Sequence, residues 1–446
     1  MSSSSTGHDR SDDLTGTTVA VYGLGKMGLP FAGVLADAGA RVLGVDIDRD
    51  RVDAVNDGRC PLDEPGVPEL VTEYSGHRIR ATTDGAAAAS EASVMVVLTP
   101  TLVDDRSQPD LGPVLAAGDA ISEGVDEGDL VILESTVPPG TTAGAFTEAV
   151  EPADLAAGDD FGVAHCPERT SSGRVVRDLT ESYPKVVGGT DADATVAAAA
   201  LYRTFNNPGV VELPSATAAE AVKVFEGVYR DVNIALANEL ALACEQWELD
   251  ASTVFGAANT QPFCDIHDPG VGVGGHCIPV YPHFVIDRVT EAPLVETARS
   301  VNDSMPEHAA ELVTSAVSDA GVRIDDATVL VLGVAYRPGV PETRFAPAFD
   351  LVDRLREAGA TVAAHDPVVD DETIAGSGAT PVADPLAEPW DAVVLATGHE
   401  TYGDLDLERL RERMRTPVLV DGRDFFDDDA VGSFVYACIG DGTTAV

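Results

Sequence analysis

The sequence predicts an α/β protein with two doubly wound, parallel-sheet domains joined by a central helical domain. Two observations predict it: an apolar strand, a glycine-rich turn, a helix and a second strand follow one another near the N-terminus, and the same order returns in the last third. Between them lies a long segment of helical periodicity. We expect a disordered tail over residues 1–15, then domains at 16–205, 206–305 and 320–446.

The first domain begins with an apolar run, Val19–Tyr22, which ends in glycines. A helix-period stretch follows and ends at Gly39, and a second strand, Arg41–Val45, closes on Asp46. This is a β-α-β unit. Strands alternate with helices through "ASVMVVLTPT", "GDLVILESTVPPGTT" and "FGVAHCPERT", so the doubly wound, Rossmann-like sheet is expected to extend to about residue 205.

The central segment, from Ser215 to about Asp250, contains no proline and one internal glycine, Gly227. Its apolar residues recur at helical spacing: Val224, Val228, Val232, Ala235, Leu236 and Leu240. We interpret it as a long helix. Two roles stay open, the seam of a homodimer or an internal core helix.

The last third repeats the first in register. "AGARVLGVD" (residues 38–46) and "AGATVAAHD" (residues 358–366) share the helix end, the strand and the final aspartate. The chain therefore has two Rossmann-like halves and is expected to bind two nucleotide-type ligands.

The charge of the chain limits its partners. Among 446 residues the net charge is −47, with 25 arginines and three lysines. The negative electrostatic field of such a chain disfavours binding of nucleic acid. The long apolar segments with helical or strand periodicity argue against disorder. We interpret the acidity as adaptation to multimolar salt, in which repulsion is screened within about 3 Å at 1 M.

The sequence shows neither a secretory signal nor a membrane span. "MSSSSTGHDRSDDLTG" lacks a basic region followed by an apolar one, and no apolar run reaches the about 18 residues of a span. A cytoplasmic location is expected. The six cysteines form no C-x-x-C pair, so free thiols are expected, and the spacing of Cys264, His267, His276 and Cys277 fits no usual zinc template. We expect no metal.

The first glycine turn has the pattern of a dinucleotide site. Gly23, Gly25 and Gly28 form G-x-G-x-x-G between a strand and a helix. Gly23 suits a tight turn, Gly25 lets a pyrophosphate approach the main chain, and Gly28 lets the helix pack closely on the strand. Asp46, at the end of the next strand, would accept bonds from ribose hydroxyls and repel a 2′-phosphate, which favours NAD over NADP. The alternative is a glycine turn without a ligand.

A second glycine-rich stretch, "DPGVGVGGHCIPVYP", precedes Cys277. Gly272, Gly274 and Gly275 indicate a loop formed around a substrate, and neighbouring N–H groups would favour a thiolate. A buried structural sulfur is the alternative. Lys223 is one of three lysines and lies on the central helix, where a tunable amine serves proton transfer; chance placement is its alternative.

NAD, a thiol and a lysine together point to oxidation past the aldehyde. A thiol adds to an aldehyde, the thiohemiacetal gives up a second hydride, and the thioester is hydrolysed to an acid.

The chain resembles the UDP-glucose/GDP-mannose dehydrogenase family of nucleotide-sugar 6-dehydrogenases. The resemblance covers everything after the tail and rests on "GLGKMGLP", "EPGVPEL", "LTPT", "ESTVPPGTT", "HCPERTSSG", "KVFEGVYRDVNIALANEL", "PGVGVGGHCIPV" and "YRPGVPETRFAPA". Within the family, "CPER" and "GGHC" are most similar to the UDP-N-acetyl-D-mannosamine branch. The UDP-glucose branch tends towards "PEF" and "GGSC".

The resemblance implies NAD-binding, central dimerisation and UDP-binding domains, and oxidation of a sugar C6 hydroxyl with two NAD⁺ for glycan precursor synthesis. Cys277 matches the nucleophile and Lys223 the lysine that handles the alcohol proton. The residues matching the NAD contacts are Lys26, Met27, Asp46, Arg51, Thr99 and Thr136. Those matching the UDP-sugar contacts are Arg169, Thr170, Lys223, Arg230, Gly274, Tyr336, Arg337, Arg344 and Arg423.

Four positions depart from the family pattern. Gly227 stands where asparagine is usual, four residues after the lysine, and Tyr281 where aspartate is usual, four residues after the cysteine. Gln261 and Phe263 replace a histidine and an arginine of the mannosamine branch. These changes bear on sugar identity and on hydrolysis, because tyrosine is a poor base near neutral pH.

Three further alternatives stay open. His276 is interpreted as a residue that shapes the loop in preference to the base. A two-electron dehydrogenase of the 3-hydroxyacid type also joins a Rossmann domain to a helical domain with a lysine, but it has no use for the Cys277 loop. A non-catalytic NAD or UDP-sugar sensor would tolerate Gly227 and Tyr281.

Overall fold

The computed structural model describes residues 14–103 and 109–443. Of the predicted tail, residues 1–13 lie outside the described residues, while Leu14 is buried and its N–H donates to the Ala38 carbonyl at 2.9 Å. The described chain forms two compact units. The first runs to Glu226 and includes His283–Arg288, and the second comprises Gly227–Pro282 and the chain from Val289 onward.

The described part of the first unit contains ten strands. They are β1 Thr18–Tyr22, β2 Arg41–Val45, β3 Ile79–Thr82, β4 Val94–Val97, β5 Leu102–Val103, β6 Pro109–Asp110, β7 Leu130–Leu133, β8 Gly162–His165, β9 Lys185–Gly189 and β10 Val210–Glu212. Its helices are α1 Gly28–Asp37, α2 Arg49–Asn56, α3 Val67–Tyr74, α4 Gly85–Glu91, α5 Gly112–Ser122, α6 Thr147–Val150, α7 Val175–Arg177 and α8 Ala192–Arg203. Two π-helical turns cover Thr142–Phe146 and Asp178–Ser182.

Eight of these strands form one sheet in the order β10-β9-β8-β7-β4-β1-β2-β3, which confirms the predicted doubly wound fold. The sheet is not wholly parallel, because β9 runs antiparallel to β8. The connection between them, residues 166–184, carries only short helical turns, and its helix α7 packs on α1. The pair β5–β6 forms a separate antiparallel ladder.

Strand alternation places a core on each face of this sheet. In β1, Val19 and Val21 pack on one face with Leu24 and Phe31. Ala20 and Tyr22 pack on the other face.

Helices fill the middle of the chain. They are α9 Ala216–Gln246, α10 Ala251–Ala258, α11 Tyr281–Ile286 and α12 Pro293–Asp319. The predicted long helix is α9, with 31 residues, and the division between the two units falls inside it.

The second unit carries six strands in the order β13-β12-β11-β14-β15-β16, all parallel. They are β11 Thr328–Leu332, β12 Thr361–His365, β13 Thr380–Pro381, β14 Ala392–Leu395, β15 Val418–Asp421 and β16 Val435–Cys438. Its later helices are α13 Pro347–Glu357, α14 Asp371–Gly376, α15 Leu407–Arg413 and α16 Asp428–Val431, and 3₁₀ turns cover Ile324–Asp326 and Glu400–Asp404. The repeat read from the sequence is therefore structural: β11 and β12 pair as β1 and β2 do.

Across the described ranges, no helix combines the length and the apolar character that crossing a membrane would require.

Candidate active site

The turn after β1 has the shape expected of a phosphate-binding loop. Gly23 has φ +95°, and a Cβ there would lie 2.6 Å from the Leu98 carbonyl oxygen. A Cβ on Gly28 would lie 1.8 Å from the Gly23 oxygen. By contrast, a Cβ on Gly25 would meet no atom within 4 Å. The turn is closed on two sides and open at Gly25, where a ligand can approach the main chain.

Asp46 follows β2 and holds this turn in place. Its carboxylate accepts the N–H of Leu24 at 2.8 Å and of Asp48 at 2.9 Å, and the Arg51 guanidinium at 3.0 Å. Burial acts to raise the pKa of Asp46, but these donors outweigh it and the pKa lies below its usual value. Asp46 is thus an anion at neutral pH beside the open turn, as NAD ribose recognition requires.

The remaining predicted cofactor residues lie on loops at the carboxyl ends of strands. Lys26 is exposed on the turn. Thr99 follows β4, and its hydroxyl oxygen is buried with no hydrogen-bond partner in the described part of the chain. Thr136 follows β7, and its carbonyl accepts the Thr101 hydroxyl. The orphaned Thr99 oxygen and the open Gly25 fit a bound dinucleotide, because each offers an unused contact.

Met27 is linked to the segment that follows β8. The Thr170 hydroxyl donates to the Met27 sulfur at 3.2 Å, so a predicted cofactor residue and a predicted sugar residue are in contact. The neighbouring Arg169 pairs with Glu226 at 2.8 Å and lies over the Tyr183 ring.

Lys223 lies within the first unit beside the carboxylate of Glu168, which is not among the predicted site residues. Its side chain is 13% exposed, and its Nζ lies 4.0 Å from Glu168 Oε2. Glu168 also accepts the Thr170 N–H. The "CPER" motif contains Glu168, so its position in the motif was a signal, but nothing in the sequence showed that it faces the lysine.

A second carboxylate, Glu220, fixes the start of α9. It is 1% exposed and accepts the Gly140 N–H, the Thr142 N–H and the Thr142 hydroxyl, each at 2.6 Å. These residues belong to the loop that also carries Thr136. Burial raises the pKa of Glu220 and these donors oppose the rise. The helix that bears Lys223 is thereby tied to the loop that bears a predicted cofactor contact.

Lys185 belongs to a buried ion pair. Its Nζ lies 3.0 Å from Glu134 Oε2 and 4.7 Å from the centre of the Tyr202 ring, and the Tyr202 hydroxyl donates to Glu134. Nearby, burial raises the pKa of the Cys166 thiol and lowers the pKa of His165 to about 3. Cys166 is a buried, protonated thiol and not a candidate nucleophile.

The loop before Cys277 is tightly moulded inside the second unit. Gly272 and Gly275 have φ of +134° and +91°. A Cβ on Gly274 would lie 2.7 Å from the Phe345 carbonyl oxygen, and one on Gly275 would lie 2.9 Å from the Tyr336 ring. Only glycine fits there, and the loop delivers Cys277 half-buried rather than in an apolar interior.

His276 contacts the thiol directly. A hydrogen bond to Cys277 raises the pKa of His276 above its usual value; burial opposes the shift and the charge of Glu342 adds to it. Its Nδ1 lies 3.4 Å from Glu342 Oε1, and its side chain is 45% exposed. An imidazole that shares a proton with a thiol favours the thiolate. His276, which we interpreted as shaping the loop, is therefore also placed to act as a base towards Cys277.

Four predicted substrate residues border this loop. The Gly275 N–H donates to the Arg344 carbonyl at 2.9 Å, and the Arg337 guanidinium lies 5.7 Å from the Tyr336 ring centre. Arg423 donates to the Ala396 carbonyl at 3.0 Å, and its guanidinium fills the space beside Gly270. Tyr336 and Arg344 therefore border Gly274 and Gly275, whereas Arg423 borders Gly270 at the start of the loop. Arg230 is exposed on α9.

Asn238 anchors the start of the same loop. Its oxygen accepts the Gly270 N–H at 2.9 Å, and its amide donates to Asn302 at 3.0 Å. Asn302 in turn donates to Asp231 at 2.9 Å, which Arg299 also contacts at 2.5 Å. This buried network between α9 and α12 was not predicted.

The second Rossmann-like half repeats the aspartate but not the open turn. Asp366 accepts the N–H groups of Val334 at 2.7 Å and Ala335 at 2.9 Å, as Asp46 does in the first half. His399 bonds to Asp366 at 3.1 Å and accepts the Gly339 N–H at 3.1 Å. Ala335 is 1% exposed, whereas Gly25, at the matching place in the first half, faces open space. Residues 336–346, which include Arg337 and Arg344, form the adjacent loop instead.

The other departures lie at the surface. Phe263 is 93% exposed, and its N–H donates to the Gln261 side chain at 2.7 Å. Within the described ranges no group of three or more histidine, cysteine or acidic side chains has a metal-binding arrangement.

Comparison with known proteins covers the chain in three blocks. The UDP-glucose/GDP-mannose dehydrogenase family matches through its NAD binding domain at residues 17–206, its central domain at 217–304 and its UDP binding domain at 330–428.

Named relatives and solved structures agree with these matches. A UDP-N-acetyl-D-mannosamine dehydrogenase of Pyrococcus horikoshii is 36% identical over 95% of this chain and 99% of its own. An NDP-N-acetyl-D-galactosaminuronic acid dehydrogenase of Ralstonia nicotianae is 36% identical over 91% of this chain and 96% of its own. The structure of the P. horikoshii UDP-D-ManNAc dehydrogenase superposes with a TM-score of 0.86 at 34% identity, covering 96% of this chain and all of that one.

Proposed function

Because the chain belongs to the UDP-glucose/GDP-mannose dehydrogenase family, we propose that it oxidises the C6 hydroxyl of a UDP-hexosamine to the uronic acid with two NAD⁺. UDP-N-acetyl-D-mannosamine is the first choice of substrate, in line with the P. horikoshii relative. UDP-N-acetylglucosamine and UDP-glucose are the alternatives, and the R. nicotianae relative adds an N-acetylgalactosamine-type sugar. The half-buried Cys277, hydrogen-bonded to His276 in a glycine loop, carries the proposal.

The first unit would hold the cofactor. The diphosphate would bind at Gly23, Gly25 and Gly28, with Lys26 and Met27. The adenosine ribose would bind at Asp46 and Arg51. Thr99 and Thr136 would contact the part of NAD beyond the diphosphate. Bound NAD⁺ would accept one hydride in each of two successive oxidations. The negative Asp46 would disfavour a 2′-phosphate.

Lys223 would manage the first proton. An amine near Glu168 would hold the C6 oxygen and take its proton as the aldehyde forms. Cys277 would then attack the aldehyde carbon through sulfur, giving a thiohemiacetal whose oxygen Lys223 would stabilise. After the second oxidation the carbon is a thioester. Water would then add and the C–S bond break; of the two protons of the water, one would return to the sulfur through His276 and the other would leave to solvent as the carboxylate forms.

The second unit would hold most of the nucleotide sugar. Guanidinium groups bind diphosphates bidentately, and the predicted set in the second unit supplies four: Arg230, Arg337, Arg344 and Arg423. Tyr336 and Gly274 belong to the same predicted set. Arg169 and Thr170 of the first unit, with Lys223, would complete the set. A matched UDP binding domain supports this assignment over a hydroxyacid dehydrogenase.

An assay panel tests the proposal. UDP-N-acetylmannosamine, UDP-N-acetylglucosamine and UDP-glucose are each supplied with NAD⁺ in multimolar KCl. We expect about two NADH per sugar and a uronic acid product. Binding of all three sugars without turnover would favour the sensor, and turnover of a simple hydroxyacid would favour the two-electron dehydrogenase.

A cysteine variant tests the mechanism. We expect Cys277→Ser to form no acid at a measurable rate, because a serine hydroxyl near neutral pH is a far weaker nucleophile than a thiolate. Cys264→Ser is the matched control, since Cys264 is also half-buried, and it is expected to keep wild-type turnover. One NADH per sugar with a free aldehyde as the wild-type product would rule the mechanism out. A homodimer and a cytoplasmic location stay predictions.

A further inference from the structure

Two of the departures from the family pattern meet in the second unit. A Cβ built on Gly227 would lie 2.3 Å from Cδ2 of the Tyr281 ring and 3.1 Å from its Cβ and Cγ. The ring therefore lies directly on the backbone of α9, in the volume where a side chain at position 227 would begin. Tyr281 is 7% exposed and Gly227 is buried, so the contact is internal.

Moving the ring alone would not remove the overlap. Rotation about the ring axis leaves the Tyr281 Cβ in place, and that atom alone would be only 3.1 Å from a new methyl group. Dense packing makes such an overlap costly, because neighbours must shift to relieve it. An alanine at position 227 would therefore require the Tyr281 ring to turn away, and the Tyr281 Cβ with the backbone it is bonded to would have to shift by a few tenths of an ångström.

The backbone of Tyr281 is tied to Cys277. The Tyr281 N–H donates to the Cys277 carbonyl at 3.0 Å, and the Val280 N–H donates to the same oxygen at 3.1 Å. The thiol and the ring thus belong to one hydrogen-bonded turn that leads into α11. Displacement of the ring would be passed on to the residue that carries the sulfur.

We propose that Tyr281 is a positioning residue for Cys277, and that Gly227 is retained because it admits the Tyr281 ring onto α9. The two departures are then one coupled change: the ring replaces the side chain missing from position 227 and holds the turn of Cys277 against the helix. Gly227 lies four residues, about one helical turn, after Lys223 on α9. The inference rests on the proposed function for its turnover readout only.

A double-mutant cycle tests the pairing. Gly227→Ala, Tyr281→Ala and the combined variant are compared by turnover of the UDP-sugar and by the rate at which iodoacetamide alkylates Cys277, followed by peptide mapping. We expect Gly227→Ala to lower kcat by on the order of 10²-fold, the cost of a small misplacement of a reacting group, with KM for NAD unchanged. Adding Tyr281→Ala is expected to restore at least about tenfold of this loss, because the overlap is gone.

Two variants act as controls. Gly256→Ala makes the same change inside α10, where a Cβ would meet no atom within 4 Å, and is expected to leave kcat and the alkylation rate unchanged. Tyr281→Phe keeps the ring and is expected to keep the wild-type alkylation rate of Cys277. It also keeps the test decisive if Gly227→Ala does not fold, because Tyr281→Phe and Tyr281→Ala must then differ in alkylation rate.

The outcomes separate clearly. Additive losses in the cycle, or an unaffected Gly227→Ala, would overturn the pairing. A loss in Tyr281→Phe equal to that in Tyr281→Ala would show that the phenol oxygen acts, not the packed ring. If the wild type oxidises no UDP-sugar yet the alkylation rates show the expected coupling, the proposed function fails and the positioning role stands.

Discussion

Three glycines of one turn meet three different surroundings, and this decides what each contributes. Gly28 is pressed against the Gly23 carbonyl, Gly23 against Leu98, and Gly25 faces open space. The pattern G-x-G-x-x-G therefore combines two requirements of packing with one opening for a ligand. Sequence alone shows the spacing, and the structure shows which glycine serves which purpose.

This difference predicts opposite results for two matched variants. We expect Gly25→Ala to fold with a free energy of unfolding within about 0.5 kcal/mol of wild type. It is expected to weaken NAD binding at least about tenfold, which corresponds to about 1.4 kcal/mol, because the methyl group would occupy the opening. Gly28→Ala is expected to lose on the order of 1–3 kcal/mol of stability from overpacking. Calorimetric titration with NAD⁺ and chemical denaturation measure both effects. Wild-type NAD affinity in Gly25→Ala would contradict the assigned approach of the diphosphate.

At the residue scale, motifs were predictable and buried charges were not. Asp46 could be predicted because it ends a recognisable strand at a fixed distance from the glycines. Glu220, Glu134 and Asp231 could not, because in a chain with 75 acidic residues most carboxylates face solvent and their sequence neighbours look alike. Only the folded chain shows which of them accept N–H groups or pair with Lys185 and Arg299.

At the scale of elements, α9 leaves apolar side chains exposed. Tyr229 and Leu236 are 60% and 49% exposed, the half-buried Ala243 continues their seven-residue spacing, and Trp247, the first residue after the helix, is 67% exposed. A stripe of this period suits a facing helix. Of the two roles left open for the helix, the homodimer seam therefore has a surface to support it, while Ala237 and Ala241 on another face of the helix pack into the core.

A charge placed in this stripe tests the dimer. We expect Leu236→Glu to weaken self-association by about 2 kcal/mol or more, as at a central interface residue, or roughly 30-fold in Kd. Sedimentation velocity over a range of protein concentrations measures the change. Val196→Glu on α8 is the control, because Val196 is also apolar and 57% exposed, and it is expected to leave Kd unaltered. A wild-type protein that sediments as a monomer at every concentration would refute the prediction.

The order of elements was largely predictable, because the strand–helix alternation and the shared "AGA" register indicated both sheets. The fold class is confirmed. The antiparallel direction of β9 was not predictable. Strand direction depends on whether the connecting segment crosses a sheet face, and residues 166–184 contain "CPER" and short turns whose path the hydrophobic pattern does not specify.

For the whole molecule, charge is the dominant property. A net charge of −47 makes the compact state repel itself wherever the repulsion is not screened. Ion pairs such as Arg41–Glu91, with both side chains about half exposed, offset little of it. Stability is therefore expected to depend on the solution as much as on the contacts.

Salt dependence follows from this balance. Between about 0.1 M and 1 M the screening length falls from about 10 Å to about 3 Å, so we expect the thermal midpoint to rise steadily as KCl is added. Thermal unfolding monitored by circular dichroism measures it. Choline chloride at equal ionic strength separates general screening from specific binding of K⁺. A midpoint that is flat or falls between about 0.1 M and 2 M KCl would contradict the assignment of the acidity to high salt.

The near absence of lysine has a chemical consequence beyond charge. Of the three lysines, Lys185 is sealed in an ion pair and Lys223 is largely covered, which leaves Lys26 as the exposed one. Sugar aldehydes condense with primary amines to form Schiff bases. A protein proposed to generate such an aldehyde thus presents almost no side-chain amine that the released intermediate would glycate.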